Sequence, residues 1–229
     1  MELSQYKVSG TIQLKNTVTK EVVQNFNDAG AISGAESNCG SYDPASLTSS
    51  IDPTGGCGGD VLNLWRKREY DCASNTWGGW VTISGASELT YDPPTITITT
   101  QYRRQSRRIA GCNPAWVYAT PVTKTVVEEL TNIGAIGNVE TMCGGYDPEV
   151  IVISPLPSGG CGADIEYRWY ERIQDCATGA WGPWILQANS NTSTWDPGPI
   201  TQTTHYAYHA RRGNCAWQYG PGVIKTVNE

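Results

Sequence analysis

At 229 residues the chain has room for one large or two ordinary domains, and a net charge of −6 argues against a general nucleic-acid binder. No apolar run reaches the ~18 residues of a membrane-spanning helix, and residues 1–20 lack the basic start and apolar stretch of a signal peptide. Eight cysteines among 25 glycines, 13 prolines and nine tryptophans read as a disulfide framework made in an oxidising compartment.

In chain order, residues 6–18 alternate. Tyr6, Val8, Ile12, Leu14 and Val18 face one way and Lys7, Ser9, Thr11, Gln13 and Lys15 the other, as in a half-buried strand. Thr19-Lys20 then matches Thr123-Lys124 further on, and from there the chain repeats itself. Cys57 returns as Cys161, Trp65 as Trp169, Cys72 as Cys176 and Trp80 as Trp184, each 104 residues later. A constant offset of this kind marks a duplicated module. The expected division is a lead-in strand over residues 1–18, a first repeat over 19–122 and a second over 123–229. Residues 1–18 fall where the last strand of a preceding repeat would stand, and Lys225-Thr226-Val227 echoes Lys124-Thr125-Val126. Two readings follow: a piece of a longer array, or a spare strand centred on Tyr6, Val8, Ile12 and Leu14 that adds to a neighbour's sheet edge.

Within each repeat, short strand signals alternate with loop punctuation. Cys39-Gly40-Ser41-Tyr42-Asp43-Pro44 and its twin from Cys143 are loops, followed by strands near Leu47–Ile51 and Val150–Ile153. Gly55 to Asp60 and Gly159 to Asp164 are glycine loops, each leading into a strand through Trp65 or Trp169. Trp77-Gly78-Gly79-Trp80 and Trp181-Gly182-Pro183-Trp184 turn the chain, and a Thr-Thr-x-Tyr element recurs at Thr99 and Thr203. No segment carries a convincing 3.6-residue apolar period. Short strands between turns predict an all-β fold, two tandem immunoglobulin-like β-sandwiches with disulfides.

The order Gly-Gly-Cys-Gly, strand tryptophan, Trp-x-x-Trp, Asp-Pro, Thr-Thr-x-Tyr, Arg-Arg and a late Cys resembles the Ig-like or PKD-like tandem repeats of large secreted bacterial surface proteins, of adhesin or gliding-motility-associated type. That resemblance implies a sandwich module strung in tandem at the cell surface or outside the cell. One departure stands out: Arg103 and Arg104 become Ala207 and Tyr208 in the second repeat.

In such a sandwich Cys57 and Cys72 stand at opposite ends of one strand about 33 Å long, whereas a bridge needs Cα atoms about 4.4–6.8 Å apart. The expected pairs are therefore Cys39–Cys72 and Cys57–Cys112, repeated as Cys143–Cys176 and Cys161–Cys215. The rival, Cys39–Cys112 with Cys57–Cys72, needs a sharply bent strand. Zinc is the competing use of the thiols, but no C-x₂-C knuckle and no His in register support it, so no metal and no cofactor are expected.

Trp77, Trp80, Trp181 and Trp184 have two readings: sheet packing with arginines stacked on their faces, or an aromatic platform for sugar rings. The aspartates lie on loops as turn caps and form no calcium-loop pattern. His205 and His209 lack twins in the first repeat and no nucleophile motif accompanies them, so no catalytic residue is expected. The sequence reads as a non-catalytic structural or adhesive module forming a stiff rod. Alternatives are a filament subunit and a carbohydrate-binding module. Expected partners are neighbouring repeats or copies of itself, with surface glycans or other cell-surface proteins second, and neither nucleic acid nor a membrane span.

Overall fold

The computed structural model describes residues 26–56, 60–109 and 115–228. The lead-in strand with Tyr6, Val8, Ile12 and Leu14, as well as Cys57 and Cys112, lie outside the described residues. The first copy contains β1 (Ala31–Ser33), β2 (Glu36–Cys39), β3 (Thr48–Ile51), β4 (Val61–Asp71), β5 (Thr76–Trp77), β6 (Val81–Thr82), β7 (Thr100–Arg108), β8 (Val117–Tyr118) and β9 (Val122–Val127). The second contains β10 (Glu140–Cys143), β11 (Ile151–Val152), β12 (Ile165–Ile173), β13 (Ile185–Leu186), β14 (Thr194–Trp195), β15 (Thr204–Arg212) and β16 (Gln218–Asn228). Among the described residues no helix is long and apolar enough to cross a membrane, which does not bear on strand-built spans.

Each copy is a sandwich of one large and one small sheet. In the first, β2 runs parallel to β9, and β9, β7 and β4 follow antiparallel, with β5 and β6 on the outer edge of β4. The small sheet pairs β1 with β3, and Leu47 bridges to Tyr91 beside it. The segment from β1 to β2 thus crosses from one sheet to the other. The second copy repeats this with β10 parallel to β16, then β15, β12 and β13, facing β11 and β14. The fold is two tandem immunoglobulin-like sandwiches, as the spacing of strand signals implied.

The core forms around one tryptophan per copy. Trp65 and Trp169 are fully buried at the centres of β4 and β12. Each indole N–H donates to a backbone carbonyl of the facing layer, Trp65 to Glu88 O at 2.8 Å and Trp169 to Thr192 O at 2.9 Å. That pairing lets a large ring be buried without an orphaned donor. Leu47 and Tyr102 pack with Trp65; Ile151, Tyr206 and Tyr208 pack with Trp169. The Thr-Thr-x-Tyr element has a defined task. The Thr99 hydroxyl donates to Val126 O and accepts from Val126 N at 3.1 and 3.0 Å, tying β9 to the start of β7. Thr203 does the same to Val227.

The expected division after residue 122 falls inside β9. Among the described residues that strand pairs with first-copy strands, β7 and β2, and its Lys124 is buried there, donating to Glu36 and to Ala45 O. Lys225 on β16 holds Glu140 and Asn138 O in the same way. Lys-Thr-Val therefore marks the end of a sandwich. Leu130 is already buried in the second core, so along the chain the stretch between the two copies is Glu128 and Glu129.

Candidate functional site

The elements that end together at one pole of the first sandwich are β2, β4 and β9. At that pole stand Cys39, closing β2, Cys72, following β4, and the buried pair Val126 and Val127. The opposite pole of the second sandwich presents Cys161, ahead of β12, and Cys215, between β15 and β16. The two poles meet. Cys39 is bonded to Cys215 with Cα atoms 5.0 Å apart, and Cys72 to Cys161 with Cα atoms 6.1 Å apart.

This corrects the expected connectivity. Cys39–Cys72, Cys143–Cys176 and Cys161–Cys215 are not formed; Cys143 and Cys176 are free and exposed. The expected Cys57–Cys112 pair lies outside the described residues. The geometric objection to joining the two ends of one strand is sound within a copy. It disappears when the end of β4 meets the start of the equivalent strand β12 in the next copy. The bridge types are those of the rival pattern, made between copies instead of within one.

The junction is packed as well as bonded. Glu128 N donates to Cys161 O at 2.9 Å, and Asn214 Nδ2 donates to Ser37 O at 3.3 Å. Cys215 is buried against Val127 O. Gly162, at φ +93°, lies so close to β9 that a Cβ there would meet Val126 O at 2.6 Å. The glycine loop of the second repeat is therefore shaped to let its backbone seat on the preceding copy. Cys72, Cys161 and Glu128 also cluster as three donor groups. Two of their sulfurs are bonded to each other, so the cluster offers no thiolate pair to a metal.

The Trp-x-x-Trp pairs form a second feature, on the outer face of each large sheet. Arg68 lies between Trp77 and Trp80, at 5.0 and 4.7 Å from their centroids. Arg103 lies between Trp80 and Tyr118 at 4.1 and 4.3 Å, and Arg107 covers Trp116 at 4.5 Å. In the second copy Arg172 lies against Trp181 and Trp184 at 4.9 and 4.5 Å, and Arg168 and Arg211 lie against Trp217. Trp77, Trp80 and Trp181 are half-buried under arginines, and Trp184 is 41% exposed. His205 packs on Trp184, and burial together with the neighbouring Arg172 holds its pKa below the ordinary value. His209 is lowered likewise, by burial and then by Arg168.

The departure at Arg104 is also explained. Arg104 is fully buried, its Nη2 donating to Ala29 O at 2.8 Å and its Nη1 to Ser49 Oγ at 2.7 Å. Tyr208 replaces it and its hydroxyl donates to Ile133 O at 2.7 Å. Ile133 is the twin of Ala29, so a different side chain reaches the same carbonyl. No sequence signal linked these two residue types.

Fold and junction together define a class: immunoglobulin-like modules in tandem, cross-linked head to tail. A family model described as a domain of unknown function (DUF8696) matches residues 28–128, which coincide with the first sandwich. No curated protein matches the chain. Among solved structures, Drosophila OTK extracellular domains 3-5 are similar at 12% identity and a TM-score of 0.28, over 89% of this chain and 66% of that one, just under two thirds of its length.

Proposed function

We propose that this chain is a non-catalytic, load-bearing segment of an extracellular or cell-surface protein, in which successive sandwiches are locked into a rod by paired disulfides. The observation that carries this reading is that both bridges run between copies. One bond would leave a pivot; two bonds on different strands, beside a connection of only Glu128 and Glu129, resist both bending and twisting. Bridges are stable in oxidising compartments, which supports a location outside the cytosol. The resemblance to tandem repeats of secreted bacterial surface proteins supports the same placement.

Non-reducing peptide mapping combined with small-angle scattering tests the reading. The expected result is Cys39 peptides joined to Cys215 peptides, Cys72 joined to Cys161, and an elongated scattering profile that broadens on reduction. Bridges confined within each copy, or a globular profile, would overturn it.

A further inference from the structure

The far pole of the second sandwich repeats the pole that the first uses at the junction. Cys143 closes β10 as Cys39 closes β2, and Cys176 follows β12 as Cys72 follows β4. The surrounding structure is also repeated. Gly144 N donates to Asn228 O at 2.8 Å, as Gly40 N donates to Val127 O at 2.9 Å. The Lys225–Glu140 pair stands where Lys124–Glu36 stands. The thiols of this second pole are free and exposed, while their twins are bonded.

We infer that Cys143 and Cys176 form a preformed covalent socket for another copy of this module, supplied by a second copy of this chain. The incoming module needs cysteines in the positions of Cys161 and Cys215. In sequence, Cys57 and Cys112 of the first repeat occupy that register. By the pattern of the internal junction, Cys143 takes the Cys215-type thiol and Cys176 the Cys161-type thiol. Each bond joins two thiols with loss of two protons and two electrons, which reduce one small-molecule disulfide, such as oxidised glutathione, to two thiols. The inference rests on the proposed head-to-tail locking.

The test is oxidation of the full-length chain at high concentration in a glutathione redox buffer, followed by non-reducing electrophoresis and peptide mapping. Expected is a ladder of dimers and larger species joined through Cys143 and Cys176, absent from the Cys143→Ser, Cys176→Ser double variant. That variant keeps its internal Cys39–Cys215 and Cys72–Cys161 bridges. A chain that stays monomeric with those internal bridges intact would overturn this inference alone, as would a ladder undiminished in the double variant. Loss of the internal bridges from the map would instead overturn the rod.

A second, independent observation concerns the outer face of the second sandwich. In the first copy Arg103 fills the gap between Trp80 and Tyr118. In the second copy the arginine is Ala207, and its place is an open slot of about 360 Å³ lined by Trp184, His205, His209 and Tyr219. Trp184 carries Arg172, as Trp80 carries Arg68, packs against His205, and also lines the slot. We propose that this slot binds the guanidinium group of an arginine on a partner protein, restoring from outside the stack that the first copy builds internally. The histidine rings favour their neutral form, since burial and then the neighbouring Arg172 and Arg168 lower their pKa values, and His205 Nδ1 accepts from Arg172.

Titration with methylguanidinium, followed by NMR at the Trp184 indole and the Ala207 methyl, is the test. A saturable shift is expected, abolished by Ala207→Arg, which fills the slot from within, and weaker with methylammonium. An absent shift, an unchanged shift in Ala207→Arg, or an equal response to methyl glucoside would overturn it.

Discussion

Cys72, just past the end of β4, is bonded to Cys161, just before β12, so that the principal core strands of the two sandwiches are joined end to end. The Cys39–Cys215 bond lies beside it and closes a far larger loop, 176 residues against 89. Replacing Cys39 and Cys72 together by serine should leave both cores folded, since neither bond lies inside a core. It should cost roughly 2–4 kcal/mol per bridge in denaturant unfolding, and scattering should show a bent, broadened distribution.

Trp169 carries the second core, and its indole N–H is the partner of Thr192 O. Trp169→Phe should cost about 1–3 kcal/mol through the carbonyl left unpaired. Trp169→Ala adds a cavity and should cost about 3–5 kcal/mol. Thermal melts of the two variants check the order.

Arg104 and Tyr208 reach twin carbonyls. Tyr208→Phe should lose about 1 kcal/mol, the net worth of a hydrogen bond. Arg104→Tyr should be tolerated better than Arg104→Met, because tyrosine can donate to Ala29 O whereas methionine leaves that carbonyl and Ser49 without their donor. Urea midpoints at constant m-value distinguish them.

The pH dependence has two parts. His205 and His209 titrate lower in the folded chain than their ordinary 6.5, so the unfolded chain binds more protons just below that value. Stability should fall as pH drops from about 6.5 and level off below the folded values. Glu36 is held below 4.5, chiefly by its hydrogen bond from Lys124. Its contribution is present above 4.5 and is lost as pH falls through the depressed value. The His205→Gln, His209→Gln double variant should flatten the first phase and keep the second.

By itself the sequence determined the duplication and the all-β class, because a fixed offset and strand-length spacing can be read directly along the chain. It also bounded the cysteine chemistry: the two ends of one extended strand lie too far apart to bond. Only the tertiary structure decided which copy each cysteine joins, since end-to-end stacking brings together residues 89 and 176 positions apart that no local pattern relates. The same holds for β9, whose Lys-Thr-Val reads as the opening of a repeat until its pairing with β2 and β7 places it at the close of one. Strand pairing and pole-to-pole contact are long-range, and their energy comes from partners that the chain's own order does not name.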